Sequence, residues 1–152
     1  MSKEFIYKYL SKDDLKSISD AIGKIEKSTS AELVVTIKEK RNWLEKNKSI
    51  RKLAEIEFNS SGMQKTKYRT GILFFIIVNA KEFCLLADKS INEKVAQPIW
   101  DEIANELKNN FKERYYCKGL LAGINMAGSI LSTHFPLKPG DINEIVNDVR
   151  IK

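Results

Sequence analysis

A chain of 152 residues that is 43% hydrophobic and 30% charged has the make-up of one globular domain with a real core, which excludes a disordered chain. Its formal net charge of +6, from 26 basic and 20 acidic residues, attracts polyanions only mildly. No run approaches the roughly 20 apolar residues of a membrane-spanning helix, and Met1 to Glu4 lack the apolar stretch and cleavage site of a signal peptide.

Phe5, Ile6, Tyr9 and Leu10 have helical spacing and predict a short N-terminal helix. Ser11 with Asp14 forms a capping pair, and Leu15, Ile18, Ile22 and Ile25 mark the apolar stripe of the first main helix. Ser28-Thr29-Ser30 breaks it. Glu32 to Lys40 then reads as a strand, rich in β-branched residues at Val34, Val35, Thr36 and Ile37. A second helix is expected over Trp43 to Phe58, with Ile50, Leu53, Ala54 and Phe58 inward, ended by Asn59-Ser60-Ser61-Gly62.

The stretch from Thr70 to Asp88 carries the strongest signal. Ile72 to Val78 is an unbroken apolar run, which suits a strand buried on both faces. Asn79-Ala80-Lys81-Glu82 makes a reverse turn, and Phe83 to Ala87 returns as a second buried strand, so the pair reads as a β-hairpin. Ile91 to Ala96 is a connector. Pro98 fits the first turn of a third helix with a stripe at Ile99, Ile103, Leu107 and Phe111. Leu120, Leu121, Ile124, Ala127, Gly128 and Leu131 form the stripe of a fourth, in which Gly119, Gly123 and Gly128 allow close packing against a neighbour. Trp43 and Trp100 are expected in the core or at its margin. Residues 1–135 form one domain, including the N-terminal helix. Residues 136–152 read as a C-terminal tail, with one helical turn begun by Asp141 and Glu144.

The order α-α-β-α-β-β-α-α implies a right-handed parallel crossover followed by an antiparallel hairpin. The expected fold is α/β, a small mixed sheet covered by helices. If the first two strands are parallel, Glu32 at the start of the first, Arg69 before the second and Asp88 at the end of the third share one rim, with Lys89 and Ser90 beside them. Two neighbouring carboxylates suit a hard cation such as Ca²⁺ or Mg²⁺. The competing arrangement is an ion pair of Arg69 or Lys89 with Asp88 at the sheet edge.

Other candidates carry less. Gly62-Met63-Gln64-Lys65-Thr66 lacks the Gly-Lys-Thr of a phosphate loop and precedes a strand rather than a helix. His134, the single histidine, sits where it caps a helix end. Cys84 and Cys117 make no metal pattern and are expected as reduced thiols in a cytoplasm, with Cys84 inert inside an apolar run. Two basic groups, Lys38, Lys40 and Arg41, and Lys65, Lys67 and Arg69, are not interleaved with stacking aromatics. They read as solvated surface, so nucleic acid is not an expected partner.

Lys12-Asp13-Asp14-Leu15 with Thr29-Ser30-Ala31-Glu32-Leu33-Val34-Val35 resembles the opening of a TPM domain, a family that includes a thylakoid-lumen acid phosphatase and many bacterial proteins. Further blocks resemble its short, soluble bacterial branch: Phe58 with Gly62-Met63, Arg69 to Leu73, Ala87-Asp88 with Ile91 to Val95, Trp100 to Ile103, and Gly119-Leu120 with His134-Phe135-Pro136. The resemblance implies a three-layer αβα sandwich and an acidic pocket that binds Ca²⁺ or Mg²⁺, with acid phosphatase activity in some members. Carried over by motif, Glu32 and Asp88 are the metal residues, with Arg69 and Lys89 able to meet a phosphate. Ser90 stands where many relatives have glycine, which puts the turn around a cation in question. Two functions follow: a cation-binding domain with weak metal-dependent phosphatase activity, or a non-catalytic module that binds a protein partner, with any metal serving structure or regulation.

Overall fold

The apolar run at Ile72–Val78 becomes the heart of a sheet because only a strand covered on both faces can hide so many consecutive apolar side chains. The structure, a computed structural model, describes residues 3–140 and 148–152. Strands β1 (Glu32–Lys38), β2 (Gly71–Ile77), β3 (Glu82–Ala87) and β4 (Arg150–Ile151) form a four-stranded sheet in the order β3-β2-β1-β4. β1 and β2 run parallel, with Glu32 opposite Gly71 and Lys38 opposite Ile77. β2 and β3 are the expected antiparallel hairpin, from Ile72 opposite Ala87 to Ile77 opposite Glu82.

Side chains alternate between two cores. Leu33, Val35, Ile37, Ile72, Phe74, Ile76 and Leu85 face one side. There α1 (Lys12–Glu26), α4 (Gln97–Lys112) and α5 (Tyr116–His134) supply Ile18, Ile22, Trp100, Ile103, Leu107, Leu120, Ile124 and Leu131. Val34, Leu73, Phe75, Ile77, Cys84 and Leu86 face the other, under Leu53, Ala54 and Phe58 of α2 (Ile50–Ser60) and Met63. The result is the expected three-layer arrangement. Thr36 is a buried polar residue in the middle of β1, and its hydroxyl donates to Glu57 Oε2 at 3.1 Å.

Local chemistry sets the helix ends. Ser11 Oγ accepts the Asp14 N–H at 3.0 Å while Asp14 Oδ2 accepts the Ser11 N–H at 2.9 Å, closing the predicted capping box. The three small residues of α5 do pack closely: a Cβ on Gly119 would stand 2.7 Å from Asn110 Cβ, and one on Gly128 2.7 Å from Ile25 Cδ1.

Several expectations are corrected. The helix expected over Trp43–Phe58 is a 3₁₀ turn at Trp43–Glu45 followed by α2. Asn42 and Glu45 close a capping box on that turn, and Ser49 then caps α2 by accepting the Lys52 N–H at 3.0 Å. Trp43 is consequently 83% exposed, outside the core. The third helix's stripe turns away from Ile99, which is exposed, and onto Trp100, which is fully buried. The first strand ends at Lys38, and the connector expected over Ile91–Ala96 begins inside a short helix α3 (Lys89–Asn92). Arg150–Ile151 adds a fourth strand parallel to β1, where two residues were too few to show a period. The turn proposed at Asp141 and Glu144 lies outside the described residues.

Candidate functional site

The amino end of β1 and β2 and the carboxyl end of β3 meet at one rim, as the crossover requires. Glu32 pairs in register with Gly71, and the Asp88 N–H donates to the Gly71 carbonyl at 2.8 Å. Glu32 and Asp88 thus flank a residue without a side chain. Both follow the alternation that faces α2, with their backbones about 10 Å apart across two strand spacings. Both are buried, with 4% and 5% exposure.

Asp88 is heavily engaged. Arg69 Nε donates to Oδ2 at 2.9 Å and Arg69 Nη2 to Oδ1 at 2.8 Å, a bidentate fork. The Lys89 N–H donates to Oδ1 at 2.7 Å, making Asp88 the N-cap of α3. Arg69 takes a left-handed backbone conformation with φ of 55°, and its carbonyl accepts the Ser90 N–H at 3.1 Å. Its guanidinium side is half-exposed to solvent. Lys89 is exposed, and the hydrogen bond it gives Asp88 comes from its main chain.

Glu32 has a second carboxyl beside it that the sequence reading missed. Glu26, the last residue of α1, reaches the free edge of β1 and its Oε2 accepts the Leu33 N–H at 2.8 Å. β4 pairs only with Thr36 and Ile37, so this carboxyl takes the place of a neighbouring strand at Leu33. Burial pushes the Glu26 carboxyl up to about 9, against the Leu33 N–H that lowers it. The negative charge of Glu32 and a hydrogen bond to it push the same way as burial. Glu26 is therefore protonated at neutral pH and shares its proton with Glu32. One signal was present in the sequence: a glutamate in the last turn of a helix opposes the helix dipole and needs another reason to be there.

Glu32, Arg69 and Asp88, expected on one rim, are therefore on it, with Glu32 beside the unexpected Glu26 on one side of Gly71 and Arg69 paired with Asp88 on the other. Carboxylate oxygens are the donors hard cations prefer. Among the described residues no cluster of three or more His, Cys, Asp or Glu side chains is gathered for a metal. A cation at Glu32 would compete with a proton, and one at Asp88 would require the half-exposed Arg69 to swing aside.

The remaining candidates are structural. His134 ends α5, and its carbonyl accepts Lys94 Nζ at 3.3 Å. Both cysteines are free, and burial pushes each thiol up to about 11, as befits unreactive sulfurs. No helix among the described residues is long and apolar enough to cross a membrane.

No curated protein matches the chain. Among solved structures it is similar to BA42 protein from the psychrophilic bacterium Bizionia argentinensis, at 32% identity and a TM-score of 0.82, covering 93% of this chain and 94% of that one. The N-terminal domain of a P. gingivalis protein shares the fold at 13% identity and a TM-score of 0.70, covering 84% of this chain and 79% of that one. The N-terminal domain of a Corynebacterium glutamicum protein does so at 12% and 0.61, covering 89% and 84%. The model of the TPM domain matches residues 7–130, from the N-terminal turn through most of α5. With that match spanning every element of the rim, the chain belongs to the TPM-domain family.

Proposed function

We propose that this chain is a divalent-cation-binding TPM domain, with Ca²⁺ or Mg²⁺ held at the rim by Glu32 and Asp88. The observation that carries the reading is the pair itself: two carboxylates, each at least 95% buried, flank Gly71 on the same face of the sheet. Buried carboxylates are costly unless something compensates them, and a hard cation is one such partner. Arg69 and Lys89 stand at the same edge and can neutralise a phosphate ester. When bound, the cation would polarise a phosphoryl oxygen and orient water. Around it, Arg69 would position the ester and the Glu26–Glu32 pair would hold or release a proton. Phosphatase activity on this reading is weak and metal-dependent.

A non-catalytic module remains the second reading, favoured by the bidentate grip of Arg69 on Asp88, which already satisfies that carboxylate. A titration and an activity assay together separate the two. Adding Ca²⁺ or Mg²⁺ while following backbone amides by NMR should give saturable shifts at Ala31–Leu33, Thr70–Gly71 and Asp88–Ser90. Turnover of an aryl phosphate should then stop with chelator and in Asp88→Ala. Uniform small shifts, or turnover surviving both treatments, would defeat the metal-site reading.

A further inference from the structure

At the opposite end of the sheet, the carboxyl ends of β1 and β4 open into a cavity of about 770 Å³, within the range of small-ligand pockets. Six cationic residues line it: Lys3, Lys38, Lys40, Arg41, Arg150 and Lys152. Glu39 is the single acidic residue among its lining residues. These cations come from three separate stretches of sequence, so the group Lys38, Lys40 and Arg41 shows only half of them along the chain. β4 brings the last of them in by pairing Arg150 with Thr36 and Ile151 with Ile37.

Half of this charge is already compensated. Lys38 pairs with Glu45 at 2.6 Å, Arg41 with Glu82 at 2.5 Å, and Lys152 with Glu57 at 3.0 Å. Among the described residues Lys3, Lys40 and Arg150 are in no ion pair, so three unpaired cations line one concavity against the single carboxylate of Glu39. The floor between them is apolar, from Phe5, Val149 and Ile151. A bare inorganic anion would leave that floor exposed, and an apolar ligand would leave the three cations unanswered. In open α/β sheets, ligands bind outside the carboxyl ends of parallel strands, which is where this cavity lies.

We infer that this cavity binds a small phosphorylated molecule with a ring body, of the nucleoside or aryl phosphate class. Lys3, Lys40 and Arg150 take the phosphates, and the ring rests on Phe5, Val149 and Ile151. The site is independent of the carboxylate rim, and its binding needs no divalent cation.

Trp43 follows Asn42, a lining residue, and is 83% exposed, so its fluorescence reports on this end of the sheet. The test is titration of the full chain, in chelator, with ATP, adenosine, pyrophosphate and a 20-residue oligothymidylate, read by Trp43 fluorescence and by backbone amide shifts. ATP should saturate with shifts confined to residues 3–5, 38–42 and 149–152, and should bind at least tenfold tighter than adenosine or pyrophosphate. Lys40→Glu with Arg150→Glu should weaken it at least tenfold, as should raising the salt. Because Arg150 lies in a strand, Lys3→Glu with Lys40→Glu serves as the second variant, both positions being exposed. Unchanged ATP affinity in the variants overturns the site. Adenosine or pyrophosphate binding as tightly as ATP overturns the ligand class. Tighter binding of the oligothymidylate than of ATP at the same amides replaces a small ligand with a nucleic acid and overturns the proposal.

Discussion

Arg69 grips both oxygens of Asp88, Nε at 2.9 Å and Nη2 at 2.8 Å, from a backbone held in the left-handed region. A non-glycine residue is uncommon there, and the fork gives it a reason to stay. Asp88 also caps α3, so its removal has two separable consequences. Asp88→Ala should lose about 1 kcal/mol from the missing cap alone, about 2–4 °C in melting temperature, and more from the lost pair. Asp88→Asn should lose less, since an amide oxygen can still accept the Lys89 N–H. Calorimetry of both variants at low and high salt checks this. The pair is half-exposed on the Arg69 side, so its share should shrink as salt rises, and equal melting temperatures for Asn and Ala would contradict the capping role.

Glu26 makes a pH prediction with a definite sign. Its carboxyl titrates near 9 in the folded chain against an ordinary 4.5. Between those values the folded state holds a proton that the unfolded state has released. This contribution to stability is full below about pH 4.5 and declines as pH rises toward 9. The slope is at most about 1.4 kcal/mol per pH unit. Glu26→Gln keeps an oxygen for the Leu33 N–H and an N–H for Glu32, so it should flatten that decline and exceed wild type in stability at pH 8. Denaturant melts at pH 5, 6.5 and 8 measure it, and a variant parallel to wild type at all three would show that Glu26 is not the titrating group.

A cation that binds only the folded state stabilises it by about 2.7 kcal/mol at 100 times its dissociation constant. Ca²⁺ or Mg²⁺ should therefore raise the melting temperature, and Glu32→Gln with Asp88→Asn should remove the increment. Neutral amides keep the shape and discard the charge that a hard cation seeks. The increment should also grow from pH 6 to pH 8, because a cation at Glu32 competes with the proton shared with Glu26. An identical rise in wild type and double variant would place the cation elsewhere.

The strands and the rim were legible because their causes are local. The run Ile72–Val78 and the turn at Asn79–Glu82 specify a hairpin, and the crossover fixes which ends lie together. That was enough to bring Glu32, Arg69 and Asp88 to one edge. What escaped were relationships made by chain ends and free edges. Glu26 matters because β4 stops short of Leu33, a fact of register that no periodicity carries. β4 itself is two residues long, and it brings its side of the basic cavity into place by docking beside Thr36 and Ile37. Trp43 was misjudged because an apolar residue beside a helix-forming stretch looks like part of its stripe. The Asn42–Glu45 capping box ends that stripe before it starts.

Ile76, the penultimate residue of β2, has no exposure and lies between β1 and β3. Ile76→Asp would bury a charge with no partner on a strand covered from both sides, at a cost beyond the few kcal/mol margin of a domain this size. Soluble expression should be lost. A soluble variant melting near wild type would contradict the central place of this strand.

The glycines of α5 allow a graded test of helix packing. Replacing glycine by alanine inside a helix gains about 1 kcal/mol of intrinsic propensity, so only a steric cost can reverse the sign. At Gly123 the added Cβ would meet Leu107 Cδ2 at 3.0 Å, the far end of a flexible side chain that can rotate away. At Gly119 it would stand 2.7 Å from Asn110 Cβ, an atom fixed to the backbone of α4. Relief there requires the two helices to part, and overpacking of this kind costs about 1–3 kcal/mol. Gly123→Ala should therefore lie within about 1 kcal/mol of wild type, while Gly119→Ala is destabilised by up to about 2 kcal/mol after the propensity gain. Urea denaturation of both variants reads the difference directly. If Gly119→Ala proves the more stable, the close contact of α4 with α5 at Asn110 is wrong, and the helices have room that these distances deny.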